Sequence, residues 1–205
     1  MKLIHSLLVM SLLTLSTLRA QWVSAYYPGY VQDPTSSEYL PASAIDTTAV
    51  THILHHSLQP NFGTPGYLDS TTNSVGGTHS DAIIQYAHPS KKVLIVVGGS
   101  ETAQGFIQVI GQHPDTLAHN IKRFVDRHGY DGVDIDWEPL AAADTLLYAQ
   151  FIRRLRDTLT NAKTLTAAIQ GTADQKLLTM FQVMSSIVCK IFLEGRDRLS
   201  HPRFV

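Results

Sequence analysis

Residues 131–139 read Asp131-Gly132-Val133-Asp134-Ile135-Asp136-Trp137-Glu138-Pro139. Asp134, Asp136 and Glu138 alternate with Val133, Ile135 and Trp137. In a strand, residues two apart share a face and lie roughly 7 Å apart along the chain. The spacing therefore predicts a β-strand with three carboxylates on one face. Val133, Ile135 and Trp137 face the other way, toward helices. Asp131 is out of phase and falls at the strand's start, where a structural job is expected. Pro139 ends the strand, which leaves Glu138 at its C-terminal tip. Parallel α/β folds place their active sites at that end.

Three carboxylates on one face repel each other, and burying them costs more unless protons or hydrogen bonds are shared. Such a stack pushes pKa values apart, so that one member can stay protonated near neutral pH and act as a general acid. Cleavage of a glycosidic bond needs an acid of this kind to protonate the leaving oxygen. A solvated acidic edge is a competing reading, and the flanking Val, Ile and Trp argue against it. A site for a hard divalent cation is another. No His or Asn accompanies the cluster locally, so no metal is expected.

Working outward, Asp115 to His128 carries Leu117, Ile121, Phe124 and Val125 at helical spacing, with Gly129 where a helix C-terminus wants it. Before it, Lys92 to Val97 (KVLIVV) is apolar on both faces and ends in Gly98-Gly99-Ser100. That suits a parallel strand covered by helices. Gln21 to Tyr27 and Val50 to Leu58 read as two earlier strands, and Asn61 to His79 as a long Gly-, Ser- and Thr-rich loop of the kind that is often functional or mobile. A short helix is expected over Asp81 to Tyr86. Beyond the acidic strand, Ala142 to Leu159 is helical and Lys163 to Ile169 is a fifth strand. Strands alternating with helical or loop crossovers predict a parallel sheet in an α/β protein.

The 205 residues are 44% hydrophobic, enough for one sizeable core. The 16 basic and 17 acidic residues leave a formal charge of -1, with no basic stripe, which argues against a nucleic-acid partner. Cys189 is the one cysteine, so no internal disulfide can form, and it reads as a small buried residue. Met1-Lys2, the apolar stretch Leu7 to Leu18 and Ala20 read as a secretory signal peptide over residues 1–20. The stretch is about 12 residues where a membrane span needs about 20, so no membrane association is expected after cleavage. The expected location is secreted, extracellular or periplasmic. His55 and His56 point to opposite faces of their strand and receive no role.

The run Asp131 to Glu138 resembles the signature of glycoside hydrolase family 18, the chitinases and their relatives. In that family four acids spaced DxxDxDxE lie on the fourth strand of a (β/α)8 barrel. Trp22 to Tyr27 is similar to the family's first strand, Thr51-His52 to the start of the second, Gly98-Gly99 to the end of the third, and Leu165 to Ala168 to the fifth. Two positions depart from the pattern: Val96 stands where the third strand often has serine, and Ser57 where the second often has an aromatic. A sixth strand ending Met-x-Tyr-Asp and a later tryptophan are not found. The resemblance thus implies an α/β fold, a (β/α)8 TIM barrel that is incomplete, with about the first five βα units. Residues 21–182 would be a partial, C-terminally truncated catalytic domain and 183–205 a divergent tail. An open barrel of this kind would expose an edge strand.

The resemblance also implies roles. Glu138 would protonate the scissile oxygen. Asp136 would hold the substrate's 2-acetamido group, whose oxygen attacks the anomeric carbon, and Asp134 would share a proton with Asp136. No carboxylate nucleophile and no cofactor is needed, because the substrate supplies the nucleophile. Asp131 and Gly132 complete the motif structurally. Tyr26, Trp137, Gly98 and Gly99 are the candidates for contact with sugar, Tyr26 with core packing as an equal reading. The implied partner is chitin or another N-acetylglucosamine-containing glycan, cleaved at β-1,4 linkages unless the chain is an inactive fragment. Endo-acting hydrolysis of N-glycans, a glycan-binding lectin without turnover and a metal-dependent hydrolase remain as alternatives.

Overall fold

The computed structural model describes residues 22–170, 179, 180, 182 and 184–194. The leader expected at residues 1–20 lies outside them, as do residues 195–205 of the C-terminal segment. Six strands run parallel in the order β1 (Ser24–Pro28), β2 (His52–Pro60), β4 (Lys92–Gly99), β5 (Gly132–Trp137), β6 (Thr164–Gln170) and β7 (Lys190–Glu194). The two-residue β3 (Leu68–Asp69) pairs antiparallel with the end of β2. The helices are α1 (Thr78–Ala87), α2 (Ala103–Gln112), α3 (Pro114–His128) and α4 (Thr145–Leu159). This is the parallel α/β arrangement of a (β/α)8 barrel, present in part. Among the described residues no helix is long and apolar enough to cross a membrane.

The alternation read from the sequence sorts the sheet into two faces. Val93, Ile95, Val97, Val133, Ile135, Leu165 and Ile169 pack outward into the main core with Phe106, Val109, Leu117, Ile121, Val125, Phe151, Ile152 and Leu155 of the helices. Each such aliphatic side chain, fully buried, contributes about 1.5–3 kcal/mol. The inner face carries a second, smaller cluster of Leu54, Leu94 and Val96, with Trp22 and Tyr26 packed against it. Because β4 is buried on both faces, its apolar run is continuous rather than alternating.

Helix α3 shows why its boundaries were legible. Pro114 opens it, Asp115 lies in its first turn, and Arg127 and His128 in its last, each favourable to the helix dipole. Gly129 ends it in the left-handed region at φ 79°, its N–H donating to Val125 O. Four features lay beyond the sequence reading. Helix α2 fills the stretch between β4 and α3, burying Phe106, Val109 and Ile110. The stretch Ala142–Asp144, read as the start of a helix, is a separate 3-10 turn before α4. Residues Lys190–Glu194, within the segment 183–205, form β7 and pair parallel with β6 from Thr166↔Lys190 to Gln170↔Glu194. Cys189, expected to be buried, is exposed at the start of that strand, its N–H donating to Leu165 O.

The long loop after β2 is tied down along its length. Asp69 accepts the N–H and hydroxyl of Thr71 at 2.7 and 2.6 Å and the hydroxyl of Thr72 at 2.6 Å. These bonds pull its pKa down to about 2 against a smaller upward push from burial. Val75 is fully buried, and Asn120 of α3 donates to Gly66 O at 2.8 Å.

Candidate active site

Register decides which side chains meet. Asp134 lies between Val96 of β4 and Thr166 of β6, and Asp136 between Gly98 and Ala168. Asp134 is completely buried and Asp136 is 4% exposed. Burial of a carboxylate is tolerable only with donors aimed at it. Asp134 has the Thr166 hydroxyl on Oδ1 and the Tyr26 hydroxyl 3.5 Å from Oδ2. Asp136 faces the imidazole of His56, with 3.9 Å between Nε2 and Oδ2. The small Gly98 and Ala168 beside Asp136 leave its carboxylate room that Val96 and Thr166 fill beside Asp134. The charge of this pair is felt through the sheet. Burial first, then the carboxylates of Asp134 and Asp136, raise the pKa of the Tyr148 phenol beneath them well above the usual range.

Glu138 follows the last residue of β5 and is partly exposed at the C-terminal end of the sheet. Its carbonyl accepts the N–H of Ala103 at 3.1 Å, which ties the strand tip to the first residue of α2. By strand alternation Glu138 is in phase with Asp134 and Asp136, which makes one row from the buried interior to the rim.

The neighbouring strands are shaped around this row. Gly98 and Gly99 have φ of 118° and 113°, which L side chains rarely adopt. A Cβ at Gly98 would lie 1.9 Å from the Asp136 carbonyl oxygen, and one at Gly99 would lie 2.7 Å from His56 Nε2. Strand β2 carries a bulge: His55 pairs with Ile95 and Leu58 with Val97, so His56 and Ser57 oppose one residue. The bulge sends Ser57 Oγ to the Gly98 carbonyl at 2.7 Å, where Asn73 Nδ2 donates to it at 3.0 Å. It leaves His56 on the acidic face, edge-on to the Tyr26 ring at 5.9 Å. Asn73 and Thr166 are therefore neighbours of the row that the sequence reading passed over, and they join Ser57, noted there only as a departure from the family's pattern, and His56, given no role there. The signal that could have found Thr166 is its position in phase with Thr164 and Ala168, once the register to β5 is known.

Other expected residues sit elsewhere. Asp131 is at the opposite end of β5, where it accepts Lys92 Nζ at 2.7 Å, the Val93 N–H at 2.9 Å and His88 Nε2 at 2.8 Å. Burial pushes its pKa up, but these donors outweigh burial and hold it below the usual carboxylate range. Gly132 lets β5 and β6 approach, since a Cβ there would lie 2.0 Å from Thr164 O. Trp137 is on the helix side, 1% exposed, stacked on Phe106 at 4.8 Å with Tyr148 at its edge. The fold does not bring its indole to the acidic face. Its contribution there is to anchor the strand end beneath Glu138. His55 lies on the same outer side, between Gln32 and Tyr130 at 2.7 Å each. Among the described residues no group of three or more His, Cys, Asp or Glu side chains is placed to hold a metal ion.

Known proteins resemble this chain in sequence and in fold. A class V chitinase of Medicago truncatula is 26% identical over 103 residues, 49% of this chain and 27% of its own length. A putative sporulation-specific glycosylase of Bacillus subtilis is 49% identical over 43 residues, 21% of this chain and 10% of its own. The chain thus matches about a quarter or less of the length of these curated relatives. Among solved structures, a family 18 chitinase from Pseudoalteromonas aurantia superposes with a TM-score of 0.66 at 20% identity, over 84% of this chain and 67% of the other. A Group II chitinase catalytic domain of Ostrinia furnacalis, in complex with (NAG)5, gives 0.69 at 18%, over 84% and 49%. A chitinase from Cycas revoluta, in complex with (GlcNAc)3, gives 0.66 at 16%, over 83% and 54%. At these identities the structures speak for the fold, an incomplete family-type barrel. Residues 23–189 match the family Glycosyl hydrolases family 18, and the chain belongs to that family.

Proposed function

We propose that this chain carries the catalytic row of a secreted glycoside hydrolase acting on β-1,4-linked N-acetylglucosamine polymers by substrate-assisted retaining hydrolysis. The observation that carries the reading is the row itself: Asp134 and Asp136 buried side by side on β5, with Glu138 at the rim. Two structural neighbours bound to (NAG)5 and (GlcNAc)3 support the substrate class.

In the first step Glu138 gives its proton to the glycosidic oxygen as the bond to the anomeric carbon breaks. The substrate's acetamido oxygen bonds to that carbon from the opposite side, and Asp136 accepts the acetamido N–H. Asp134, held by Thr166, shares a proton with Asp136 and steadies its charge. In the second step the Glu138 carboxylate takes a proton from water as the water oxygen attacks the anomeric carbon and the acetamido oxygen leaves. Two inversions give retention, with no protein nucleophile. Tyr26, Gly98 and Gly99, which border the row, are the proposed sugar contacts. The apolar stretch Leu7 to Leu18 is the basis for proposing export.

The test is release of reducing ends from chito-oligosaccharides. Glu138→Gln should lower the rate by about 10²–10⁴-fold, the range for loss of a general acid, and EDTA should leave it unchanged. Turnover that survives Glu138→Gln would refute the mechanism. Binding to chitin with no product from the native chain would favour a lectin-like protein instead.

A further inference from the structure

We infer that His56 is a positioning residue for Asp136, standing beside it on the acidic face of β2 to keep that carboxylate ionised. The inference rests on the hydrolytic reading above and adds a residue to it.

Four observations carry it. His56 is in phase with Leu54 on the acidic face of β2, while His55 stays buried on the outer one. The imidazole Nε2 lies 3.9 Å from Asp136 Oδ2, within ion-pair reach. The ring has the Tyr26 ring at 5.9 Å in a T-shaped contact and occupies the space beside Gly99, where a Cβ would lie 2.7 Å from its Nε2. Its side chain keeps 27% of its surface exposed, so it can exchange protons with solvent. Tyr26 from β1 and Asp136 from β5 face it, His55 beside it on β2 is electrostatically coupled to it, and β4 presents the Gly99 backbone. Asp134 and Glu138 are the next carboxylates along β5.

The chemistry follows from the order of charges. Asp136 must be a carboxylate to accept the acetamido N–H, and Glu138 must be protonated to serve as acid. Two acids so close in type and place would otherwise compete for one proton. A cation 3.9 Å from Asp136 Oδ2 favours the ionised form of that carboxylate. An ordinary imidazole titrates near pH 6.5, so the bias is strongest on the acid side of neutrality. The gain at Asp136 and the gain at His56 are the same coupling seen from two ends.

The test is a carbon-13 NMR titration of the aspartate carboxyls and histidine rings in the native chain, His56→Gln and Asp136→Asn. One charge pair at this distance in a water-like dielectric is worth about 0.8 pH unit. The Asp136 midpoint should rise by that much or more in His56→Gln, and the His56 midpoint should fall equally in Asp136→Asn. Shifts under about 0.2 pH unit in both, or shifts of unequal size, would overturn the inference, because a ring that only packs would not titrate reciprocally. Asp136→Asn reads the coupling even if His56→Gln does not fold. Neither titration needs turnover, so an inert native chain would count against the hydrolase and leave this measurement intact. Where turnover is measured, the acid limb of kcat/KM should move up by the same amount in His56→Gln while the alkaline limb stays.

Discussion

Replacing Thr166 with valine removes one hydroxyl and changes the shape of the side chain little. Thr166 and Asp134 are both completely buried, and the hydroxyl is a donor on Asp134 Oδ1. The second hydroxyl near that carboxylate, Tyr26, stands at 3.5 Å from Oδ2, beyond the 2.5–3.0 Å of a good O–H···O bond. The valine variant therefore takes the closer of these two hydroxyls from a buried carboxylate. A hydrogen bond to a charged group contributes about 1.5–3 kcal/mol, so about 2 kcal/mol of stability should go. In a domain of this size that is a fall in Tm of roughly 4–8 °C. The assay is urea and thermal unfolding of the native chain, Thr166→Val and Thr166→Ser at neutral pH. Serine keeps the donor and loses one methyl, so it should cost only about 1 kcal/mol. If valine is within about 0.5 kcal/mol of native, or serine costs as much as valine, then Thr166 only fills space and the account of how Asp134 is tolerated fails.

Two further outcomes follow from the same geometry. Gly98→Ala puts a Cβ 1.9 Å from the Asp136 carbonyl oxygen at a backbone φ of 118°; it should destabilise by more than about 3 kcal/mol, and a variant that unfolds at the native urea midpoint would contradict the β4–β5 approach. His55 is buried and neutral, its pKa pushed down from 6.5 to about 3 chiefly by burial. The unfolded chain therefore binds the extra proton between those values, and stability should fall as pH drops from 6.5 toward 3. His55→Gln should flatten that fall by up to about 1.4 kcal/mol per pH unit, which denaturation at a series of pH values would show or deny.

The strands were legible because their physics is local. Period-two alternation fixed the faces of β5, an apolar run fixed β4, and Gly129 fixed the end of α3. What escaped has physical reasons too. Helix α2 (AQGFIQVIGQ) carries two glycines in ten residues, which lowers its intrinsic helicity; its helical state comes from burying Phe106, Val109 and Ile110 against the sheet. Strand β7 has no family motif to announce it and is defined by the edge of β6 that it pairs with. The 3-10 turn before α4 follows from a boundary that pattern alone places only within a few residues.

The site divides along the same line. Asp134, Asp136 and Glu138 stand on one strand, so two-residue spacing alone aligns them on one face. Thr166 lies 32 residues from its partner Asp134 in sequence, and His56 is on a strand two places away in the sheet order. Their relation to the acids is set by register, and register is a property of strand pairs. The bulge makes the point most sharply. Strict alternation already put His55 and His56 on opposite faces, but it would also have put Leu58 on the acidic one. With His56 and Ser57 opposing one residue, Leu58 joins the outer core and Ser57 Oγ is free to bond Gly98 O. The family's frequent aromatic at the position of Ser57 and serine at the position of Val96 are both replaced here. Beside the acids stand a threonine from β6 on Asp134 and an imidazole from β2 near Asp136. The carboxylate row was therefore readable from one strand, whereas the threonine and the imidazole beside it are placed by how this chain pairs its sheet.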